Sequence, residues 1–302
     1  MREFPKRIFI GFLIYSSISL MVSVVSFELF RRMESTEQLT SYANTLFNKT
    51  VHAIKLGQDF MLYEIYQDDF FQTRHSYSLT KYEKLLKDVD TLHIKIATLK
   101  NIQKKELVTE VSHLDRLMNK YDSIFRLIVQ KEIQRGYKEY GMEGKMRRNI
   151  TELEAHPFIS TEKILQMRKY EKDYLLRKDT FYITNLRAVY MSIEQDLSIN
   201  QKLHELEKQH LREALSNYMS AFLQIASLER EIGHSIHDKD GLSSQLKQIV
   251  DEVDITVDKI NVLLIFQKEK INATIKVVFL SIITVSVLLI LLMAIAFKAV
   301  IG

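Results

Sequence analysis

LSSQLKQIVDEVDITVDKINVLLIFQKEKINATIKVVFLSIITVSVLLILLMAIAF, running from Leu242 to Phe297, is the stretch that decides the fold. Its first part places Leu242, Leu246, Ile249, Val253, Ile260 and Leu263 on one heptad seam, interrupted by Thr256. Its last part, Val277 to Phe297, is long enough to cross a hydrocarbon core, which takes about 20 apolar residues at helical rise. No glycine or proline separates the two parts. The spacing therefore predicts a single helix that leaves a polar domain and enters a membrane.

A second apolar segment, IFIGFLIYSSISLMVSVVSFELF, occupies Ile8 to Phe30 near the other end of the chain. Its apolar run is too long for a signal peptide and ends without a small-x-small cleavage site, so it reads as an uncleaved anchor. The expected order is an N-terminal tail 1–7, a span 8–30, an extramembrane domain 31–276, a span 277–297, and the start of an output region at 298–302. Two spans put both termini on one side. Arg2, Lys6 and Arg7 before the first span nearly balance Arg31 and Arg32 after it, and a loop of this length is translocated largely regardless of charge. The termini are placed in the cytoplasm and the domain outside it.

The chain of 302 residues carries a net charge of only +4, with acidic and basic residues interleaved throughout. That pattern fits solvated helix faces and excludes a nucleic-acid surface. There is no cysteine, which favours an extracytoplasmic domain. Eight glycines and two prolines over such a length leave few helix breakers.

Working inward, helical periodicity runs without interruption from Met33 to about Thr73. TRHSYSLT, Thr73 to Thr80, reads as a turn, with Ser78 as the N-cap of a helix reaching Leu99. A third helix runs from Lys104 into Gly136, with Leu107, Val111, Leu114, Leu117, Met118, Tyr121, Ile124, Phe125 and Ile128 as its stripe. Gly136, Gly141 and Gly144 mark a helix junction or a close backbone crossing. Helix resumes to Ala155, breaks at His156–Pro157 and restarts at Ser160. It bends near Lys178–Thr180 and continues to about Leu197; a further helix covers Gln201 to Ile236, and HDKDG, His237 to Gly241, is the last turn. No strand is expected. There is also an internal echo: Asp59-Phe60-Met61-Leu62 followed by Phe70-Phe71 resembles Asp173-Tyr174-Leu175-Leu176 followed by Phe181-Tyr182. A true duplication implies two similar helical bundles.

The most specific block is GYKEYGMEGKMRRNITELEAHPFISTEKILQMRKYEKDYLLRKDTFY, Gly136 to Tyr182. Gly141, Gly144, Met146 and Arg147 precede Leu153-Glu154, and MRKYEKDYLLR follows from Met167 to Arg177, with Asp179 close behind. This region resembles the signature of the helical bimodular sensor domain of bacterial chemoreceptors and sensor histidine kinases. It departs from that signature at Tyr170, where a histidine is usual, and at Tyr174, where phenylalanine is usual. The resemblance implies an all-α, elongated sensor of two stacked four-helix modules, flanked by two transmembrane helices. It further implies a homodimer in the bacterial inner membrane that binds a small carboxylate.

Arg147, Arg168, Lys172 and Arg177 are the cationic candidates for such an anion, because a guanidinium grips a carboxylate through two parallel hydrogen bonds. The competing reading is structural. Glu143–Arg147 and Asp173–Arg177 have the spacing of ordinary helix-surface pairs, and Glu171 and Asp173 belong to a candidate ion network. Tyr63, Tyr66, Phe70, Phe71, Tyr174, Phe181 and Tyr182 either line a pocket or form core, and core is the commoner role. His234 and His237 are too few for a metal site. The Asn48, Asn149 and Asn272 glycosylation triplets read as chance in a bacterial chain. No catalytic constellation, phosphate loop or cofactor motif is present, so the chain is not expected to be an enzyme. The expected function is signal input from a small-molecule ligand to a histidine kinase or, alternatively, a methyl-accepting chemoreceptor. A membrane-tethered spacer that binds an envelope protein is the reading of another class.

Overall fold

Helix α9, Leu242–Ile301, is unbroken over 60 residues, and helix α1, Phe4–Asp59, over 56. Each contains a stretch long and apolar enough to cross a membrane, with 0% of that stretch buried. The computed structural model describes residues 4–99, 105–233 and 240–301. Between the two long helices lie a π turn, Phe60–Glu64, and helices α2 (Asp68–Thr73), α3 (Tyr77–Thr98), α4 (Lys105–Arg135), α5 (Gly141–Ala155), α6 (Thr161–Arg177), α7 (Thr180–Ile199) and α8 (Glu205–Ile232). Among the described residues there is no strand. The expected His234–His237 pair and most of the HDKDG turn lie outside the described residues.

The chain divides into two units. The first comprises Met1–Lys49, Asp88–Asp115 and Ile255–Gly302. Its buried positions keep three- and four-residue spacing: Thr36, Leu39, Ala43 and Leu46 on α1, Val89, Leu92 and Ile96 on α3, Leu107, Val111 and Leu114 on α4. On α9 the buried face is Thr256, Ile260 and Leu264. The seam thus runs through Leu264 and not the expected Leu263, since a step of four holds the face that Thr256 and Ile260 define. Lys49 Nζ meets Asp88 Oδ2 at 2.6 Å in this unit.

The second unit comprises Thr50–Lys87 and Arg116–Asp254. Helices α5 to α8 share one core, in which Met146, Ile150, Leu153, Ile164, Met167, Leu186, Ile193, Leu215 and Phe222 are buried. A separate aromatic cluster gathers Phe60, Phe70, Phe71, Tyr82, Tyr121 and Phe125. Of the aromatics weighed above, Phe70, Phe71 and Tyr174 are core, whereas Tyr63 and Phe181 are exposed.

Local chemistry explains where the helices stop. Ser160 accepts a hydrogen bond from the Lys163 amide and Asp179 accepts one from the Phe181 amide, each opening a helix. Three boundaries differ from expectation. The run from Met33 to Thr73 is interrupted after Asp59 by the π turn, which carries Phe60 inward against Phe70 and Phe125. Helix α3 is capped by Ser76, whose Oγ accepts from the Leu79 amide at 3.0 Å, and not by Ser78. Ser78 is buried, and its hydroxyl and amide donate to the Glu64 carboxylate at 2.5 and 3.2 Å. Burial pushes the Glu64 pKa up, and these hydrogen bonds pull it further down, leaving it below its ordinary value. Helix α8 begins at Glu205 and not near Gln201, because Asn200 turns the chain by accepting the Lys202 amide on its own side chain.

The echo between Asp59 and Asp173 corresponds to equivalent contacts. Phe60 meets Phe125 edge-on at 6.1 Å and 76°, and Tyr174 meets Phe222 edge-on at 5.5 Å and 76°. One turn earlier, Gly57 faces the Tyr121 hydroxyl, and Glu171 accepts the Tyr218 hydroxyl. The receiving helices repeat the same series: Tyr121, Ser123, Phe125, Ile128, Glu132, Gly136 on and after α4, and Tyr218, Ser220, Phe222, Ile225, Glu229, Gly233 on and after α8. Two stretches of sequence with the same order and spacing, each taking an edge-on aromatic contact from its echo segment, have the pattern of an internal repeat.

Candidate functional site

The motif residues sit on α5 and α6 and do not converge. Arg147, half exposed on α5, lies 3.4 Å from Glu143 and 3.8 Å from Glu139. Arg168 on α6 reaches across to Glu154 at 3.1 Å. Arg177 lies 3.7 Å from Asp173 and over the Tyr182 ring, at the exposed end of the helix. Lys172 is exposed. Glu171 alone turns inward: its carboxylate accepts the Tyr218 hydroxyl at 2.7 Å. Burial raises the Glu171 pKa, and the Tyr218 hydrogen bond and the Arg168 charge only partly offset that. Burial and the adjacent carboxylate hold the Tyr218 phenol well above its ordinary value.

A stronger concentration of charge lies where α4, α6 and α8 end, all within the second unit. Glu132 is 0% exposed and Glu229 2%. The Glu229 carboxylate accepts Arg135 Nε on one oxygen at 2.5 Å and Lys178 Nζ on the other. The Arg135 guanidinium also lies 3.9 Å from Glu132 and 3.9 Å from Glu143, donates to the Gly136 carbonyl at 3.4 Å, and covers the Tyr66 ring. Burial opposes its charge, but Glu229 and Glu132 more than compensate and its pKa is raised, so the guanidinium stays ionised. The Tyr66 phenol is pushed up by burial and by Glu132. Lys131 pairs with Glu231 beside this cluster.

Such a buried network fixes geometry. Its charges are mutually neutralised, and removing one partner leaves another charge stranded in low dielectric. Lys178 is held in the left-handed region, φ 57°, where it ends α6 and aims its ammonium at Glu229. Among the described residues, no group of His, Asp and Glu is placed to hold a metal ion.

Sequence reasoning singled out Arg147, Arg168, Lys172 and Arg177 but passed over Glu132, Arg135, Lys178 and Glu229. The signal was available. Glu132 and Glu229 fall on the apolar register of their helices, after Tyr121-Phe125-Ile128 and Tyr218-Phe222-Ile225, where a carboxylate must find a partner.

A groove of about 510 Å³ opens between α7 and α8, lined in part by Arg187, Tyr190, Met191, Ser216, Met219 and Ser220. None of the motif cations reaches it. Comparison with family models, with curated proteins and with solved structures returns no match.

Proposed function

We propose that the chain is the input and transmembrane region of a bacterial signal-transduction receptor, held in the inner membrane by α1 and α9 as a homodimer. In this reading two stacked four-helix modules on the outer side sense a small organic anion, and movement of one long helix against the other reports it across the bilayer to a histidine kinase. A chemoreceptor is the same input coupled to another output. The single observation that carries the reading is continuity: α1 and α9 pass from an apolar, unburied stretch into buried core without a break. A displacement of the core then becomes a displacement in the membrane. The internal repeat supports two modules.

The anion is assigned to the α5–α6 motif, at Arg147, Arg168, Lys172 and Arg177. Three of these cations already hold protein carboxylates, Glu143, Glu154 and Asp173, so a ligand must exchange for them. A thermal-shift screen of the full chain in lipid nanodiscs, against organic acids, amino acids and amines, tests this. A ligand that favours one state stabilises it, so at least one organic acid should raise the melting temperature, and Arg168→Ala should abolish the rise while leaving the unliganded melting temperature nearly unchanged. A flat screen sinks the reading. A variant that mainly destabilises the fold returns Arg168 to a structural role.

One observation favours a second reading, a tethered spacer that binds an envelope protein. Helix α9 exposes Ile255, Val262, Ile265 and Phe266 in the first unit, and the α7–α8 groove is open. A flat ligand screen combined with loss of a partner's cross-linking in Val262→Glu would select it.

A further inference from the structure

Two helix ends in the second unit are built alike. Gly136 ends α4 with φ 88° and donates its amide to the Glu132 carbonyl at 2.8 Å; Gly233 ends α8 with φ 81° and donates to the Glu229 carbonyl at 2.9 Å. Each is followed by a second glycine folded back onto it. A Cβ on Gly141 would fall 2.5 Å from Gly136 Cα, and a Cβ on Gly241 would fall 2.5 Å from Gly233 Cα. Both contacts exclude any side chain, so both joints need their glycine pair. In each, the residue one turn before the left-handed glycine is a buried glutamate.

The two joints are also linked by a bond. Glu229, beside the second joint, accepts Arg135 Nε, from the residue that immediately precedes the first joint. Its other oxygen holds Lys178, the left-handed residue at the corner between α6 and α7. One carboxylate thus ties together the three places where the chain turns at this end of the α5–α8 core.

We propose that Glu229 is a latch that couples the two glycine joints, so that neither opens without the other. The coupling follows from the bonding. Opening the second joint withdraws Glu229 from Arg135, which leaves a guanidinium at 16% exposure with only more distant carboxylates. Opening the first withdraws Arg135 and strands Glu229 in turn. The inference concerns the joints alone and stands whether or not the chain binds an anion.

Hydrogen exchange of the full chain in nanodiscs, read by mass spectrometry, tests the latch. In Glu229→Gln, exchange should rise about tenfold or more in the segments 132–141 and 229–233 together, and in 177–181, with 146–155 and 186–197 unchanged. Arg135→Lys keeps the charge but gives up the Nε bond; it should raise the same two joint segments by a smaller factor, and it decides the matter if Glu229→Gln does not fold. Lys178→Met should loosen 177–181 alone. In Glu229→Gln or Arg135→Lys, a rise confined to the segment around the mutated residue, or one spread evenly over 50–254, overturns the proposal.

Discussion

The two copies of the internal repeat solve one contact in two ways. In the first, Gly57 leaves room for the Tyr121 hydroxyl, which donates to the Ile54 carbonyl at 3.4 Å. In the second, the residue in that place is Glu171, and its carboxylate accepts the Tyr218 hydroxyl at 2.7 Å. The aromatic pairs one turn further on, Phe60 with Phe125 and Tyr174 with Phe222, are nearly superposable in angle. The shared part of the contact is apolar and insensitive to conditions. The divergent part is steric in one copy and ionisable in the other, so at this contact only the second copy makes its packing depend on protonation.

Four substitutions break or sharpen that comparison. The largest effect is expected at a joint. Gly136→Ala combines a left-handed backbone with a Cβ that would lie 2.0 Å from the Tyr140 carbonyl oxygen. It should cost more than about 3 kcal/mol in a urea titration, since backbone cannot step aside as a side chain can. Gly57→Ala comes next. Its Cβ would lie 2.8 Å from the Tyr121 hydroxyl, so the ring must shift, at about 1–3 kcal/mol. Adding Tyr121→Phe to that background should recover most of the loss, and no recovery would place the clash elsewhere.

Smaller effects follow. Ser76→Ala removes the cap of α3 and should cost about 1 kcal/mol by thermal denaturation; a neutral result would return the cap to Ser78. Glu171→Gln should alter the pH dependence more than the stability at any one pH. The folded-state pKa of Glu171 is raised, so the folded form holds the proton more tightly than the unfolded chain. Its contribution is full below the ordinary carboxylate range and is lost as pH rises through the raised folded value. The variant should therefore lose less stability than the parent as pH rises from the ordinary carboxylate range through the raised folded value. Identical slopes would mean that Glu171 titrates normally.

Much of the helical framework was legible in the sequence. The His156–Pro157 break, the Ser160 restart and the stripe from Leu107 to Ile128 rest on local rules of amide supply, capping and periodicity, and α5, α6 and α4 follow them. The π turn at Phe60–Glu64 was not legible, because the residues that draw Phe60 inward, Phe70 and Phe125, include one far along the chain. Ser78 failed as a cap for a similar reason: Glu64, from an earlier segment, claims its hydroxyl.

The charge cluster shows the same division more sharply. Composition and periodicity by themselves determined an all-helical chain with two membrane-length apolar helices, since hydrophobic spacing is a property of neighbours in sequence. They even held the repeat, in the series that ends at Gly136 and at Gly233. Only the tertiary structure decided that Arg135, Lys178 and Glu229 meet, and that Arg147, Arg168 and Arg177 instead pair with carboxylates on or near their own helices. The physical reason is that a long charged side chain has many partners within reach, and at Glu229 burial selects among them, because a charge left unpaired there is too costly.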